Sequence, residues 1–462
     1  MDIPIIGNSE LGPYPINMFF SQAAHKGLNL PGLVGTPGLK EYYDPSHAFP
    51  VRRLKVMGSN LYAVIGNRVY QINTTPTGTL LTGTLTGTTD PVCMEQDGTY
   101  LMIVEPGVEG YTYTADGEVT AIADADFPTP SFLTWQDGYF IPLKSDSGRF
   151  HIPTLYDPTA WDALDYTTAE ATPDNALANL SDHRELLIFG SESIQPFYNS
   201  GNADFPFESI QGAVIQEGLG AAHSVAAGDN TVFFLDVHGR VMRISGHAAQ
   251  PISSRAIEKE ITGYSTFADA IGFYYAHQGH GFYVLTFPTD DATWVFDVST
   301  QLWHQRRSYP VHPDGSEGRW RASCHALYDG KHIVGDWQNG KLYELDFDTY
   351  TDNSETIRRY FDFPAIGDGK TKIRHNKLQL DYKTGVGITG TTPTVGVDPQ
   401  AMLQWSDDGG KTWSNELTES IGKIGEYEKE VNFRRLGASS RRIYRNIVSD
   451  PVEVVITGAK LT

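Results

Sequence analysis

The chain has 462 residues, of which 40% are hydrophobic, 12% aromatic and 20% charged. This length exceeds the roughly 250–300 residues at which single hydrophobic cores stop growing, so we expect one large domain and at least one smaller module. The 35 basic and 56 acidic residues give a formal net charge of −21, which opposes binding to a phosphate backbone. The composition is that of a globular protein, and the charge argues against a nucleic-acid-binding one.

The charge is unevenly distributed along the chain. Residues 358–462 hold 16 basic and 13 acidic side chains, a net charge of +3, which leaves −24 for residues 1–357. Two cysteines, Cys93 and Cys324, are too few for a disulfide framework or a four-thiolate zinc site, and we interpret both as structural. The start of the chain resembles no secretory leader and no stretch is long enough to cross a membrane, so we expect assembly in a cytoplasm without membrane insertion.

Short runs of alternating apolar residues, each broken by a Gly, Asn or Asp turn, recur from Leu54 to about Tyr350. Each run is typical of two strands joined by a tight turn. Their spacing of roughly 37 to 50 residues lies in the range of propeller blades. We therefore predict an all-β chain with a β-propeller of about seven blades, and a pair of β-sandwiches is the alternative. The seven runs are LKVMGSNLYAVIGNRVYQI, TYLMIVEPGVEGYTYTADGEV, FLTWQDGYFIPLKSDSGRF, ELLIFGSESIQPFYN, NTVFFLDVHGRVMRIS, GFYVLTFPTDDATWVFDVSTQLW and ALYDGKHIVGDWQNGKLYEL.

The segments around the propeller differ from it in composition. Residues 1–50 contain seven prolines, which oppose helix and central strand, so we predict an extended N-terminal arm lying on this subunit or on a neighbour. A strand of this arm that completes the last blade is an open alternative for the blade count. Residues 51–365 form the predicted propeller, and residues 366–462 a second, sandwich-like β module. Within the propeller, Ser254–Thr262 is the clearest helix, with Ser254 as its N-cap, and the Thr- and Gly-rich tract 74–90 is a predicted protruding ribbon or loop.

Motifs that could hold a cofactor or a metal lack their structural context. The stretch Gly385–Gly390 matches a dinucleotide fingerprint, but Thr391, Thr392 and Pro393 follow it where a helix should begin. His277 and His280 flank a Gln-Gly pair typical of a turn, which indicates a solvated loop rather than a metal site. The sequence therefore supports no catalytic residue, no cofactor and no metal ligand.

One hairpin motif is complete. Residues 406–413 read SDDGGKTW and match the Asp-box S-x-D-x-G-x-T-W, which resembles the hairpin turns repeated in sialidase propellers. In those proteins the box is structural, and we assign the same role to Ser406, Asp408, Gly410, Thr412 and Trp413 here. A single box outside the propeller indicates a hairpin and not a glycosidase.

The densest basic cluster lies in the second module. It consists of five arginines within NFRRLGASSRRIYRN: Arg434, Arg435, Arg441, Arg442 and Arg445. Such a cluster is either a solvated face or a contact with another subunit or an adaptor, and the −24 charge of residues 1–357 provides a complementary surface.

Several short segments occur in a characteristic order over about 300 residues. They are Pro15-Ile16-Asn17-Met18, Leu30-Pro31-Gly32, the hairpin at Val69-Tyr70, the F-G-S-x-x-I-x-x-F segment Phe189–Phe197, Gln250-Pro251-Ile252 with Ala256–Lys259, Val295–Ser299 before Trp303, and Gly335-Asp336 before Gly340-Lys341-Leu342. In this order the sequence resembles the tail-hub, or tail-nozzle, proteins of short-tailed bacteriophages, called packaged DNA stabilisation proteins in the Salmonella-phage group. The C-terminal module matches less clearly.

The resemblance implies a non-enzymatic virion protein of the viral tail. Members form a homohexameric ring below the portal and adaptor, extend the DNA exit channel, retain packaged DNA, and attach a tail needle and tailspikes or fibres. An acidic lining would let genomic DNA pass without specific binding. The alternative function is a carbohydrate-binding or sialidase-like propeller that recognises a receptor, which would predict several Asp-boxes and an arginine cluster at the propeller centre.

Overall fold

The computed structural model describes residues 3, 14–22, 31–115, 117–390 and 394–462. The described chain is almost entirely β-structure, with the single α-helix in the propeller. Three strands precede the first blade: β1 (Met18–Ser21), β2 (Gly32–Gly35) and β3 (Gly38–Tyr43). They lie in the predicted arm, and two of them join a different sheet from the third.

Six blades of four antiparallel strands follow in chain order. Blade 1 consists of β4 (Val51–Met57), β5 (Asn60–Ile65), β6 (Arg68–Ile72) and β7 (Gly78–Leu80), and blade 2 of β8 (Cys93–Gln96), β9 (Tyr100–Glu105), β10 (Glu109–Thr114) and β11 (Thr120–Ala121). Blade 3 consists of β12 (Pro130–Gln136), β13 (Tyr139–Lys144), β14 (Arg149–Thr154) and β15 (Asp157–Thr168), and blade 4 of β16 (Ala176–Asp182), β17 (Glu185–Gly190), β18 (Ile194–Asn199) and β19 (Phe207–Ser209). Blade 5 consists of β20 (Ala226–Gly228), β21 (Thr231–Leu235), β22 (Val241–Ser245) and β23 (Ala248–Pro251), and, after helix α1 (Arg255–Ile261), blade 6 consists of β24 (Ile271–His277), β25 (His280–Phe287), β26 (Ala292–Asp297) and β27 (Leu302–Gln305).

Blade 7 is closed by a strand from the distant N-terminal arm. After the short pair β28 (Arg307–Ser308) and β29 (Gly318–Arg319), the chain forms β30 (Ala322–Tyr328), β31 (Lys331–Asp336) and β32 (Leu342–Asp346). Strand β3 pairs antiparallel with β32 as the fourth strand, and β33 (Thr351–Asp352) and β34 (Glu355–Thr356) extend the sheet. The described residues therefore form seven blades, and the predicted all-β propeller class is confirmed.

Tight turns in the left-handed backbone region explain why the alternating runs fold as hairpins. Two-residue hairpin turns of type I′ need positive φ at both positions, and Asp or Asn followed by Gly adopts it at least cost. Asp137 and Gly138 have φ values of 50° and 91° between the first two strands of blade 3, and Asp329 and Gly330 have 49° and 71° in blade 7. All seven predicted hairpins fall within one blade each.

The C-terminal module is a sandwich of two sheets. Its strands are β35 (Arg359–Asp362), β36 (Ile373–Arg374), β37 (Lys377–Tyr382), β38 (Gln400–Ser406), β39 (Leu417–Ser420), β40 (Val431–Arg434), β41 (Ala438–Ser439), β42 (Ile443–Val448) and β43 (Val455–Leu461). One sheet has the order β35-β42-β38-β39, and the other has the order β1-β2-β43-β37-β40. The arm thus supplies two of the five strands of the second sheet, and Met18 and Leu33 pack in the sandwich core with Leu378 and Tyr444.

The arm also connects the two domains directly. Ile16 forms backbone bridges with Gln305 at the end of blade 6 and with Tyr360 in the sandwich. The side chain of Asn17 then hydrogen-bonds to Arg307 and Arg358, one on each side of the junction. The described part of the arm therefore lies on its own subunit.

Three local predictions have different outcomes. Helix α1 forms as predicted, with the Ser254 side chain accepting a hydrogen bond from the Ile257 amide. The prediction of a protruding ribbon at 74–90 is wrong for much of the tract. Residues 78–80 form the outer strand of blade 1, and Arg52 and Glu105 hydrogen-bond to the backbone of Gly87 and Thr86. The two cysteines are buried and unbridged, and burial raises the pKa of Cys93 to about 12 and that of Cys324 to about 11.

Candidate functional site

The Asp-box forms the hairpin between β38 and β39 in the sandwich. The Asp408 carboxylate accepts hydrogen bonds from the amides of Lys411 and Thr412 at 2.9 and 3.0 Å and from the Thr412 hydroxyl at 2.6 Å. The Ser406 hydroxyl donates to Asp408 at 2.7 Å and accepts from the Gly410 amide at 2.8 Å. These bonds close the turn internally, so the box orders a loop.

The ionised form of Asp408 is an essential part of this turn. Its hydrogen bonds, first those from Thr412 and then that from Ser406, hold the pKa of the Asp408 carboxyl well below its usual range. The unfolded chain consequently binds more protons than the folded chain near pH 4, so the contribution of this group to stability is lost as the pH falls through that region.

We expect Asp408→Ala to lower the melting temperature of the sandwich, because two amides and two hydroxyls lose their acceptor. Thermal unfolding followed by circular dichroism and tryptophan fluorescence measures the effect. Glu416→Ala is the matched control, since Glu416 is an exposed carboxylate after the same turn. An equal melting temperature for the two variants would contradict a structural role of the box.

Two of the five predicted contact arginines form ion pairs within the sandwich. Arg442 is buried and makes a bidentate ion pair with Asp407, with both N···O distances at 2.7 Å. Arg445 pairs in the same way with Asp362 at 2.6 and 2.8 Å, and its guanidinium carbon lies 3.9 Å from the centre of the Trp413 ring. Both arginines bind carboxylates of their own chain, which leaves them poorly placed for contact with another subunit.

The other three predicted arginines are exposed. Arg434 is the last residue of β40, and Arg435 and Arg441 lie between β40 and β42. The pairing of Ile373 with Ser439 and of Arg374 with Ala438 brings a second basic segment beside them. We call the six exposed cations of these two segments the basic end, and they are Lys370, Lys372, Arg374, Arg434, Arg435 and Arg441.

The basic end carries an uncompensated charge. Residues 370–377 and 434–441 contain no acidic side chain, and none of the six cations has an ion-pair partner among the described residues. Sequence analysis missed Lys370, Lys372 and Arg374, although the run of residues 370–377 without an acidic side chain was a readable signal. Only the pairing of β36 with β41 shows that both segments form one surface.

The structure also places the residues considered for metals and nucleotides. His280 is not on a solvated loop as predicted, because it is buried and hydrogen-bonds to Asp297 at 2.7 Å, while the ring of His277 lies 4.8 Å from that of His332. Within the described residues no group of three His, Cys, Asp or Glu side chains could hold a metal ion. Gly385 to Gly390 lie in the loop after β37, and residues 391–393 lie outside the described residues. No helix of the described chain is long and apolar enough to span a membrane.

Family comparisons match both domains of this architecture. A family model described as "Bacteriophage P22 Gp10, beta-propeller" matches residues 11–350, and one described as "Bacteriophage P22 Gp10, beta-sandwich" matches residues 358–462. The chain belongs to the bacteriophage P22 Gp10 family. The resemblance to phage tail-hub proteins is thereby confirmed, and Gp10 membership assigns a structural role in the phage tail.

Other comparisons are weaker than the Gp10 family match. A computationally designed protein, Ika8, has a TM-score of 0.41 at 9% identity, covering 66% of this chain and 99% of its own. The WD40 β-propeller domain of Doa1 has a TM-score of 0.40 at 12% identity, covering 64% and 93%. PorZ of Porphyromonas gingivalis has a TM-score of 0.39 at 10% identity, covering 75% and 44%. No curated protein matches the chain.

Proposed function

We propose that six copies of this chain form the hub, or nozzle, of a short phage tail. The ring sits below the portal and adaptor, extends the DNA exit channel, retains packaged DNA, and attaches the tail needle and tailspikes or fibres. Assembly takes place in the host cytoplasm, and the role is not enzymatic. The observation that carries the proposal is the match of two Gp10 family models, in chain order, to nearly the whole chain.

The charge distribution supports assembly through the sandwich. Residues 1–357 have a net charge of −24, so packing six copies side by side brings like charges together. The basic end is an exposed, unpaired surface of opposite sign, and complementary charges across an interface favour association and fix its orientation. Because the described part of the arm contacts its own subunit, we assign the contact with the next subunit or the adaptor to the basic end.

Reversing the exposed charges of the basic end tests this assignment. We expect a variant with Glu at Arg434, Arg435 and Arg441 to fold normally but to be absent from particles, because attraction becomes repulsion at the contact. Arg442 and Arg445 must be left unchanged, since each is tied to a carboxylate of its own chain. Incorporation is measured by mass spectrometry of particles produced with the variant as the sole copy.

A matched control reverses the charge of three lysines elsewhere in the sandwich, Lys411, Lys423 and Lys429, which lie on its remaining loops. The control should be incorporated as the unaltered chain is, at about one copy for every two portal subunits if a six-fold ring lies below a twelve-fold portal. Normal incorporation of the basic-end variant would overturn the contact. A ratio well above one copy per portal subunit would contradict the hexameric hub and favour a receptor-binding spike.

A further inference from the structure

A cavity of about 440 Å³ lies where the first strands of blades 1, 6 and 7 begin. Its walls are partly apolar, with Val51, Val92, Ile271, Pro288 and Ala322 among the residues that line it. Thr89 and Asp90, which also line it, are exposed and provide a route to solvent. The volume is that of a pocket for a small organic molecule.

Three arginines line this cavity, but only one of them forms side-chain hydrogen bonds or ion pairs with other residues. Arg52 pairs with Glu105 and donates to the carbonyls of Gly66 and Gly87. The guanidinium groups of Arg53 and Arg319, by contrast, have no hydrogen-bonding or ion-pair partner among the described residues. Two half-buried cationic groups that lack a carboxylate partner therefore line one cavity.

The carboxylates near Arg319 bind groups other than its guanidinium, and Asp291 also accepts the Arg319 backbone amide at 3.0 Å. Asp291 binds His312 at 2.7 Å, and Asp336 lies 3.5 Å from Arg321. The remaining one, Asp269, uses one oxygen to accept the Thr289 amide at 2.8 Å. Burial lowers the pKa of Arg319 despite these carboxylates, in agreement with a guanidinium that lacks a close counter-charge.

Further polar atoms on the cavity wall are also unsatisfied. The indole nitrogen of Trp337, the Nε of Arg319 and the Oδ1 of Asp269 are buried and have no partner among the described residues. Arg319 stacks on Trp337, with its guanidinium carbon 3.9 Å from the ring centre, so their donors are held together. These three atoms have no accessible surface, so the groups that a ligand in the cavity can reach are the guanidinium nitrogens of Arg53 and the two terminal guanidinium nitrogens of Arg319.

We propose that this cavity binds a small organic anion, such as a sugar acid or a sugar phosphate. The anionic group of the ligand accepts hydrogen bonds from the guanidinium groups of Arg53 and Arg319. The apolar wall contacts the carbon skeleton. Guanidinium groups bind carboxylates through paired, charge-assisted hydrogen bonds, which gives this arrangement its selectivity for an anion.

Isothermal titration of the full chain with three six-carbon sugars tests the proposal. Glucuronate, glucose and glucose 6-phosphate share a ring and differ at carbon 6 as carboxylate, alcohol and phosphate. We expect glucuronate and glucose 6-phosphate each to bind at least about tenfold more tightly than glucose, since losing a hydrogen bond to a charged group costs about that factor. Arg53→Gln should weaken glucuronate binding by about tenfold without affecting folding, because Arg53 has no described partner to lose.

Arg68→Gln is the matched control, since Arg68 is an exposed arginine of the same blade outside the cavity. It should bind glucuronate as the unaltered chain does. Failure of both anions to bind, equal binding of glucose, or unchanged glucuronate binding by Arg53→Gln would each overturn the proposal. The test does not depend on particle assembly, so its outcome is separate from that of the tail-hub proposal.

Discussion

Glu105→Ala should reduce the free energy of unfolding of the propeller by about 4 kcal/mol, as expected when one partner of a buried ion pair is removed. Glu105 pairs with Arg52 at 2.8 Å, and the two side chains are only 2% and 1% exposed. The same carboxylate accepts the amides of Thr86 and Gly87 at 2.9 Å each and the Tyr111 hydroxyl at 3.0 Å. The variant would leave the buried Arg52 guanidinium without its counter-charge and the Gly87 amide without its side-chain acceptor.

The protonation of Glu105 agrees with this role. Burial acts to raise its pKa, but the hydrogen bonds from Arg52, Thr86 and Tyr111 outweigh it, and the net effect is a lowered pKa. Its contribution to stability is therefore present above the ordinary glutamate pKa and is lost as the pH falls below it. The Arg52–Glu105 pair joins blade 1 to blade 2 and hydrogen-bonds to the segment that connects them. Its loss therefore affects both blades and that segment.

Urea unfolding measured by circular dichroism gives the size of the effect. Glu109→Ala is a closely matched control, because Glu109 lies directly opposite Glu105 in the β9–β10 ladder and has no described side-chain partner. Glu105→Gln should fall between the two, since it retains an acceptor oxygen but removes the charge. If Glu105→Ala unfolds at the same urea concentration as Glu109→Ala, the buried pair does not stabilise the propeller.

Asn17→Ala should also cost about 4 kcal/mol, because three hydrogen bonds of about 1 kcal/mol each and a favourable left-handed backbone are lost together. The Asn17 amide nitrogen donates to the carbonyls of Arg307 and Arg358 at 2.9 and 2.8 Å, and its side-chain oxygen accepts the Arg307 amide at 2.9 Å. Asn17 is buried with φ at 55°, a region that asparagine tolerates better than alanine. The residue therefore joins arm, propeller and sandwich at one point.

A second substitution separates the two causes. Asn17→Gly removes the same hydrogen bonds but permits positive φ, so it should be about 1 kcal/mol more stable than Asn17→Ala. Asn376→Ala, at an exposed position of the sandwich, is the control and should leave the unfolding curve unchanged. If Asn17→Gly is as stable as the unaltered chain, the side-chain hydrogen bonds at the junction contribute nothing.

The propeller could be predicted from the sequence because its hairpins are local. A strand, a turn with positive φ and a second strand lie within about twenty residues, and each leaves its own alternating pattern. Strand β3, which closes blade 7, has no local hairpin pattern, since its partner β32 lies about 300 residues further along the chain. The pairing of β2 with β43 is longer still, so the arm could be predicted as extended but not assigned to its sheets.

For the candidate contact surface, too, the sequence predicted only part of the arrangement, here at the level of single side chains. Five arginines in one segment look alike in sequence, yet Arg442 and Arg445 are held by Asp407 and Asp362, which are 35 and 83 residues away. The remaining three join Lys370, Lys372 and Arg374 only because β36 pairs with β41. Burial and pairing decide which cations are available, and neither is encoded in local composition.

The sequence by itself determined the fold class, the seven hairpins, the Asp-box turn and the family resemblance, since each depends on residues close together or on their order. The tertiary structure decided how the propeller closes, how the arm joins the two domains, which arginines remain exposed and which unpaired donors meet in the cavity. These features arise from contacts between residues far apart in the chain. Their free energies come from burial and pairing, which local sequence patterns do not record.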